Sequence, residues 1–215
     1  MRNTLRRALF ATTVAAAAFG FAATSASATA LAQWTVSNPN TNGAFSAHLK
    51  AGTTAELLDN TTGQGVSCST AAASGTANSG VHSGGSGLAS ISSATWGTAA
   101  STCAGPLGST FTASLTSGTI KLNGASYAGG VTSGNLTDVN VTITGDTLFG
   151  VCTATITGSA ANAKYTNSTG QLSIVNGTGL TIATANNCSG LMNAGDAAQF
   201  SATYVLDKPI TVTSP

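Results

Sequence analysis

The sequence predicts an all-β fold, an antiparallel β-sandwich or barrel-like domain of about ten to twelve strands. Three observations lead there. Apolar and polar residues alternate with a period of two along most of the chain after residue 30, and helical periodicity is almost absent. Glycine and asparagine break that alternation at short intervals, as tight turns require. The polar positions carry Ser, Thr and Asn, and only 6% of residues are charged. A chain that is also 42% hydrophobic has the opposite balance from a disordered one, so it folds.

Taken in order, the first 28 residues read as an export signal. Arg2, Arg6 and Arg7 form a positive start, 8–23 is a short apolar run, and Ala26-Ser-Ala28 is a small-x-small cleavage site. A second cut site follows Ala32. The run is short for a bilayer span and no stop-transfer pattern follows, so no transmembrane segment is expected. Arg6-Arg7-Ala-Leu-Phe10 also matches a twin-arginine signal, which leaves the export route open. Residues 29–215 then form one secreted β domain.

Strands are expected at 33–37, 44–51, 66–72 and 87–95, where apolar residues alternate with Ser, Thr and Ala. Further strands are expected at 109–115, 119–122, 140–144 and 152–159, and a last group at 170–175, 180–184, 199–206 and 210–213. Asn123-Gly, Thr144-Gly-Asp, Ser168-Thr-Gly and Asn176-Gly read as the turns between them. The one stretch of helical type, 53–59, is too short to count. The segment 75–87, "GTANSGVHSGGSG", reads as a solvated loop.

An internal pseudo-repeat is expected, with units 66–115 and 151–206. Cys68 precedes Cys103 by 35 positions and Cys152 precedes Cys188 by 36. Each pair encloses a Leu/Ile strand, and each second cysteine leads through a Cys-x-Gly turn into a strand opened by phenylalanine. Four cysteines in an exported chain make two disulfides, for which three connectivities are open. The repeat favours Cys68–Cys103 and Cys152–Cys188. Zinc does not fit, because no two cysteines lie two to four residues apart and neither histidine is near one.

All three arginines lie in the leader. The remainder holds four lysines against six carboxylates, a net charge of minus two. Such a surface builds no phosphate-binding stripe, so nucleic acid is excluded as a partner, and anionic membrane gains no attraction.

Catalysis needs titratable groups brought together, and the sequence supplies few. His82 falls in the glycine-rich segment and His48 on the polar face of a strand. No Gly-x-Ser-x-Gly elbow surrounds Ser83 or Ser86. Nothing pairs Glu56, Asp59, Asp138, Asp146 or Asp196 as a glycosidase would require. Asp196, in Asn193-Ala-Gly-Asp196, is the most suggestive and otherwise reads as a turn opening the last long strand. No Asp-x-Asp offers calcium its oxygens. The expectation is a non-enzyme with no metal and no cofactor.

Cys103-Ala-Gly-Pro-Leu-Gly, Tyr165-Thr-Asn-Ser-Thr-Gly-Gln-Leu172 and Cys188-Ser-Gly-Leu-Met-Asn-Ala-Gly-Asp196 carry a resemblance. The chain resembles a group of exported, mostly uncharacterised proteins of actinomycetes. That resemblance implies an all-β secreted protein and brings no activity or site residues. A fainter likeness, in the Asn-Ser-Thr-Gly turn and hydroxyl-rich strands, is to a secreted accessory protein of alkane-oxidising bacteria, and it transfers no function.

Two roles follow as expectations. The first is a structural, adhesive or surface-associated protein, possessing few lysines to block strand association and binding itself or a cell-surface polymer. The second is an extracellular binding module for a small apolar ligand or a glycan. Trp34, Trp96, Tyr127, Tyr165 and Tyr204 are its candidate platforms, because aromatic faces stack on both.

Overall fold

The computed structural model describes residues 32–148 and 150–215. The leader read at 1–28 lies outside the described residues. Fifteen strands are present among the described residues: β1 (Gln33–Ser37), β2 (Ala44–Leu49), β3 (Ala55–Asp59), β4 (Gly65–Cys68) and β5 (Ala71–Thr76). They continue with β6 (Gly80–Ser83), β7 (Ala89–Trp96), β8 (Cys103–Ala104), β9 (Thr110–Leu115) and β10 (Ile120–Ala128). The last five are β11 (Val131–Thr147), β12 (Gly150–Thr166), β13 (Gln171–Asn186), β14 (Ala197–Leu206) and β15 (Thr211–Thr213). A single 3-10 turn, Pro106–Gly108, is the one helical element among them.

Twelve strands form one antiparallel sheet whose pairings close into two rings. In the first ring, β10, β11, β12, β13 and β14 pair in sequence. From β14 the circuit runs through β2, β5 and β7 and returns to β10 at Ile91↔Ile120. The second ring uses the far halves of the same long strands. From β14 it passes to β3, β4, β8 and β9, and it returns to β11 at Leu115↔Val141. Each ring therefore has eight strands, the number whose interior side chains just fill or which holds one small ligand. One wall is built of long continuous strands, and the opposite wall of two short sets set end to end.

The remaining three strands, in the order β15–β1–β6, make a small sheet at one end of the first ring. Trp34 of β1 lies over Gly124, where a Cβ would come within 2.7 Å of the indole Cη2. The closing segment is held by side chains in place of a second ladder. Tyr165 Oη accepts from Ile210 N at 2.9 Å and donates to Ile210 O at 2.7 Å. Asn167 does the same for Val212, accepting at 3.0 Å and donating at 2.8 Å.

Both disulfides pair as the repeat favoured, Cys68 with Cys103 and Cys152 with Cys188. The first joins β4 to β8, which share a single ladder pair, Ser67↔Ala104. The covalent link thus sits at the thinnest join of the second ring. The other ties β12 to the segment after β13, which folds back so that Ile182 N donates to Asp196 O at 2.9 Å. Within 66–115 the pairing order is β5–β7–β9, and within 151–206 it is β12–β13–β14.

Several elements differ from the sequence expectation. The count is fifteen strands, against about ten to twelve expected. Residues 53–59 yield strand β3, with Ala55 and Asp59 buried and Glu56 exposed. The glycine-rich segment contributes the end of β5 and all of β6, where His82 pairs with Trp34. The strand expected at 66–72 is broken into β4 and β5, and 170–175 and 180–184 are fused into β13. Three expected turns lie inside strands: Asn123-Gly in β10, Thr144-Gly-Asp in β11 and Asn176-Gly in β13. The reason is shared, since glycine or a left-handed asparagine within a strand also marks a bulge or a close approach. The register shifts beside Gly124 and between Ile174 and Gly177, where Asn176 has φ 47°. At Gly145 the ring of Phe111 lies against the backbone, leaving no room for a Cβ. Ser168-Thr-Gly does form the β12–β13 turn.

Such bulges also keep the inner face in phase. Along β12, Cys152, Ala154, Ile156 and Ala160 point inward at even positions, while Ala163 and Tyr165 continue at odd ones. A register shift between Gly158 and Ala163, with Asn162 at φ 59°, supplies the change of phase.

Candidate functional site

The inward positions explain what the barrel can hold. Ala47, Ala73, Ala89 and Ala94 face the interior of the first ring, and Ala55, Ala113 and Ala160 that of the second. Methyl groups do not fill an eight-stranded interior, so space remains. It takes the form of two chambers of about 80 Å³ each.

The first chamber lies in the first ring and is closed on the side of the small sheet by Val36, Ile210 and Val212. The second lies in the second ring, between Phe111, Val141, Ile156 and Leu180. Trp96, Ile120, Leu136 and Phe200 line both and form the waist between them. At the waist the Trp96 and Phe200 rings meet edge to face, with centroids 5.9 Å apart and planes at 83°. Trp96 Nε1 donates to Tyr204 Oη at 2.6 Å.

Among the described residues, no charged side chain lines either chamber. The polar atoms of the first chamber belong to Thr132, Trp96, Tyr165 and Tyr204. Burial raises the pKa of Tyr204 strongly, with the Trp96 hydrogen bond opposing in part. Burial likewise raises that of Tyr165, against the lowering effect of its Ile210 backbone bond. Both phenols thus stay protonated wherever the protein works. Thr132 is 4% exposed, and its Oγ1 has no hydrogen-bond partner.

Of the expected binding residues, Trp96, Tyr165 and Tyr204 come together in the first chamber. Trp34 is buried in the adjoining small sheet. Tyr127 is half-buried on β10 opposite Thr132 and lines neither chamber. Asp196 is apart from both, held by Asn193 Nδ2 at 2.9 Å in the turn before β14. Thr132, Phe200 and the inward alanines were not singled out. The available signal was alanine in place of a large apolar residue within the strands, as at Ala47, Ala73 and Ala94.

The titratable groups are dispersed. His48 Nδ1 pairs with Asp207 Oδ1 at 2.8 Å on the outer surface, and Ser46 also donates to that carboxylate. These bonds lower the Asp207 pKa, Ser46 contributing most. Lys121 pairs with Asp138 at 3.0 Å, also outside. Glu56 accepts from Thr54. Asp59 is 2% exposed, and its Oδ1 accepts from the backbone of Thr61 and Thr62 in the turn between β3 and β4. Among the described residues, no three His, Cys, Asp or Glu side chains gather as a metal site would need. No helix among them is long and apolar enough to cross a membrane.

No protein-family model, curated protein or solved structure matches the chain.

Proposed function

We propose that this protein is an exported, non-catalytic binding module whose barrel holds a small apolar molecule. The observation that carries the reading is the pair of uncharged chambers inside closed rings. Binding sites for small molecules are concave, mostly apolar and sparingly polar, and the first chamber has that character. At about 80 Å³ it is far below the ~300–1,000 Å³ of a drug-sized site, so its guest has the dimensions of a single ring or a short chain. The two disulfides suit an oxidising compartment. A glycan is the weaker guest, because Trp34, Tyr165 and Tyr204 are too buried to present a face to a sugar.

The test is a titration of the disulfide-bonded protein with toluene, followed at the two tryptophan indole N–H signals by NMR. The Trp96 signal is expected to move and saturate while the unfolding temperature rises. Unchanged signals at the solubility limit of toluene would sink the reading.

A surface-associated role rests on a separate observation. Leu107 and Leu148 are 75% and 76% exposed and share one shallow hollow at the disulfide-bearing end of the barrel. Lateral strand addition to the large sheet is not its route, since every strand of that sheet has neighbours on both sides and only β15 and β6 of the small sheet are edges. Leu107→Ser with Leu148→Ser is expected to abolish adsorption to a hydrocarbon-coated bead, and equal adsorption by the variant would remove this role.

A further inference from the structure

The first chamber contains one polar atom that its own walls leave unexplained. Thr132 occupies an inward position of β11, opposite Tyr127 on one side and Tyr165 on the other. Its hydroxyl is buried and unpartnered. The Tyr165 phenol does not relieve it, being committed to Ile210 in both directions, and Tyr204 Oη, which accepts from the Trp96 indole, makes no bond to it. A buried water holds about three hydrogen bonds, more than Thr132 and the uncommitted Tyr204 O–H supply in a chamber whose remaining free lining is hydrocarbon. An unpaired buried hydroxyl is disfavoured unless something brings it a partner. In a binding cavity, that partner is the guest.

We propose that Thr132 Oγ1 is the anchoring group of the chamber, and that its ligand is a neutral molecule with one hydroxyl or carbonyl oxygen on a hydrocarbon body. The proposal rests on the small-molecule reading above and specifies its ligand class. Neutrality follows from the walls. An ionised carboxylate or ammonium would lose its water with no opposite charge in return, because the ion pairs His48–Asp207 and Lys121–Asp138 lie on the outer surface. A group able both to donate and to accept suits either a ligand alcohol or a ligand carbonyl.

Three probes of one shape separate the outcomes: benzyl alcohol, toluene and benzoate, each titrated into the disulfide-bonded protein with the Trp96 indole signal as readout. The wild type is expected to bind the alcohol and the hydrocarbon but not the benzoate anion. Thr132→Val keeps the shape and removes the hydroxyl. It is expected to weaken benzyl alcohol by about three- to tenfold relative to toluene, whose affinity holds or improves. Thr132→Ser retains a hydroxyl and is expected to keep the wild-type ratio, which separates anchoring from a general disturbance of the wall. An unchanged alcohol-to-toluene ratio in the valine variant overturns the anchor while leaving the chamber reading intact. Benzoate binding as tightly as benzyl alcohol overturns the neutral class. Failure of all three probes in the wild type overturns the chamber reading itself, and the anchor with it.

Discussion

Trp96 Nε1 and Tyr204 Oη meet at 2.6 Å across the barrel interior, joining β7 to β14 over 108 positions of sequence. The bond fixes the indole at the angle from which it meets Phe200, and so holds the partition between the two chambers. Tyr204→Phe removes the acceptor and leaves the indole N–H unpaired in an apolar setting. The expected cost is ~1–3 kcal/mol in denaturant unfolding, with a shift of the Trp96 emission. A variant as stable as the wild type would show that the partition is held by packing alone.

Alkaline pH acts on the same residue. The folded pKa values of Tyr204 and Tyr165 both lie above the unfolded value of ~10, so the folded state favours the protonated phenols. Their contribution to stability is therefore complete below pH ~10 and is lost as pH rises towards the folded values. Tyrosinate absorbance and circular dichroism are expected to show these two phenols ionising together with unfolding. At the acid end, the lowered pKa of Asp207 contributes stability that disappears as pH falls, but this carboxylate is exposed and the effect is small.

Breaking Cys68–Cys103 should act locally as well as globally. The bridge spans 35 positions, which corresponds to ~3–4 kcal/mol in the chain-entropy account. It also reinforces a ladder of one pair between β4 and β8. With both cysteines changed to alanine, hydrogen exchange is expected to accelerate first at β3, β4 and β8, while β5, β7 and β10 stay protected. Uniform acceleration over both rings would contradict the separate closure of the second ring.

Gly145 tests the reading of glycines within strands. A Cβ there would fall 2.1 Å from Phe111 Cδ1 and 2.4 Å from Thr110 O. Gly145→Ala is expected to destabilise by ~1–3 kcal/mol, through displacement of the Phe111 ring and of β9. A neutral result would place the glycine's importance elsewhere than in this contact.

The strands with plain alternation were legible without coordinates. β1 occupies 33–37 as expected, and β2, β7, β9 and β14 lie within a few residues of their expected ranges. The cysteine spacing, with the repeat around it, also indicated the observed pairing. The long strands were harder to see, because Gly124, Gly145 and Asn176 carry the same local signal whether the chain reverses or merely bulges. Of the candidate site, Trp96, Tyr165 and Tyr204 were visible as aromatics. Thr132 was not, because a threonine among dozens has no local mark of being buried without a partner.

Alternation, cysteine spacing and composition are local or additive properties, so the strands, the two bridges and the scarcity of charge were already readable along the chain. The closing of the strands into two rings with a common wall, and the chambers on either side of a tryptophan waist, came from the folded arrangement. Ring closure and cavity formation depend on which distant residues share a row, and pairing at a distance is written in no single stretch of the chain.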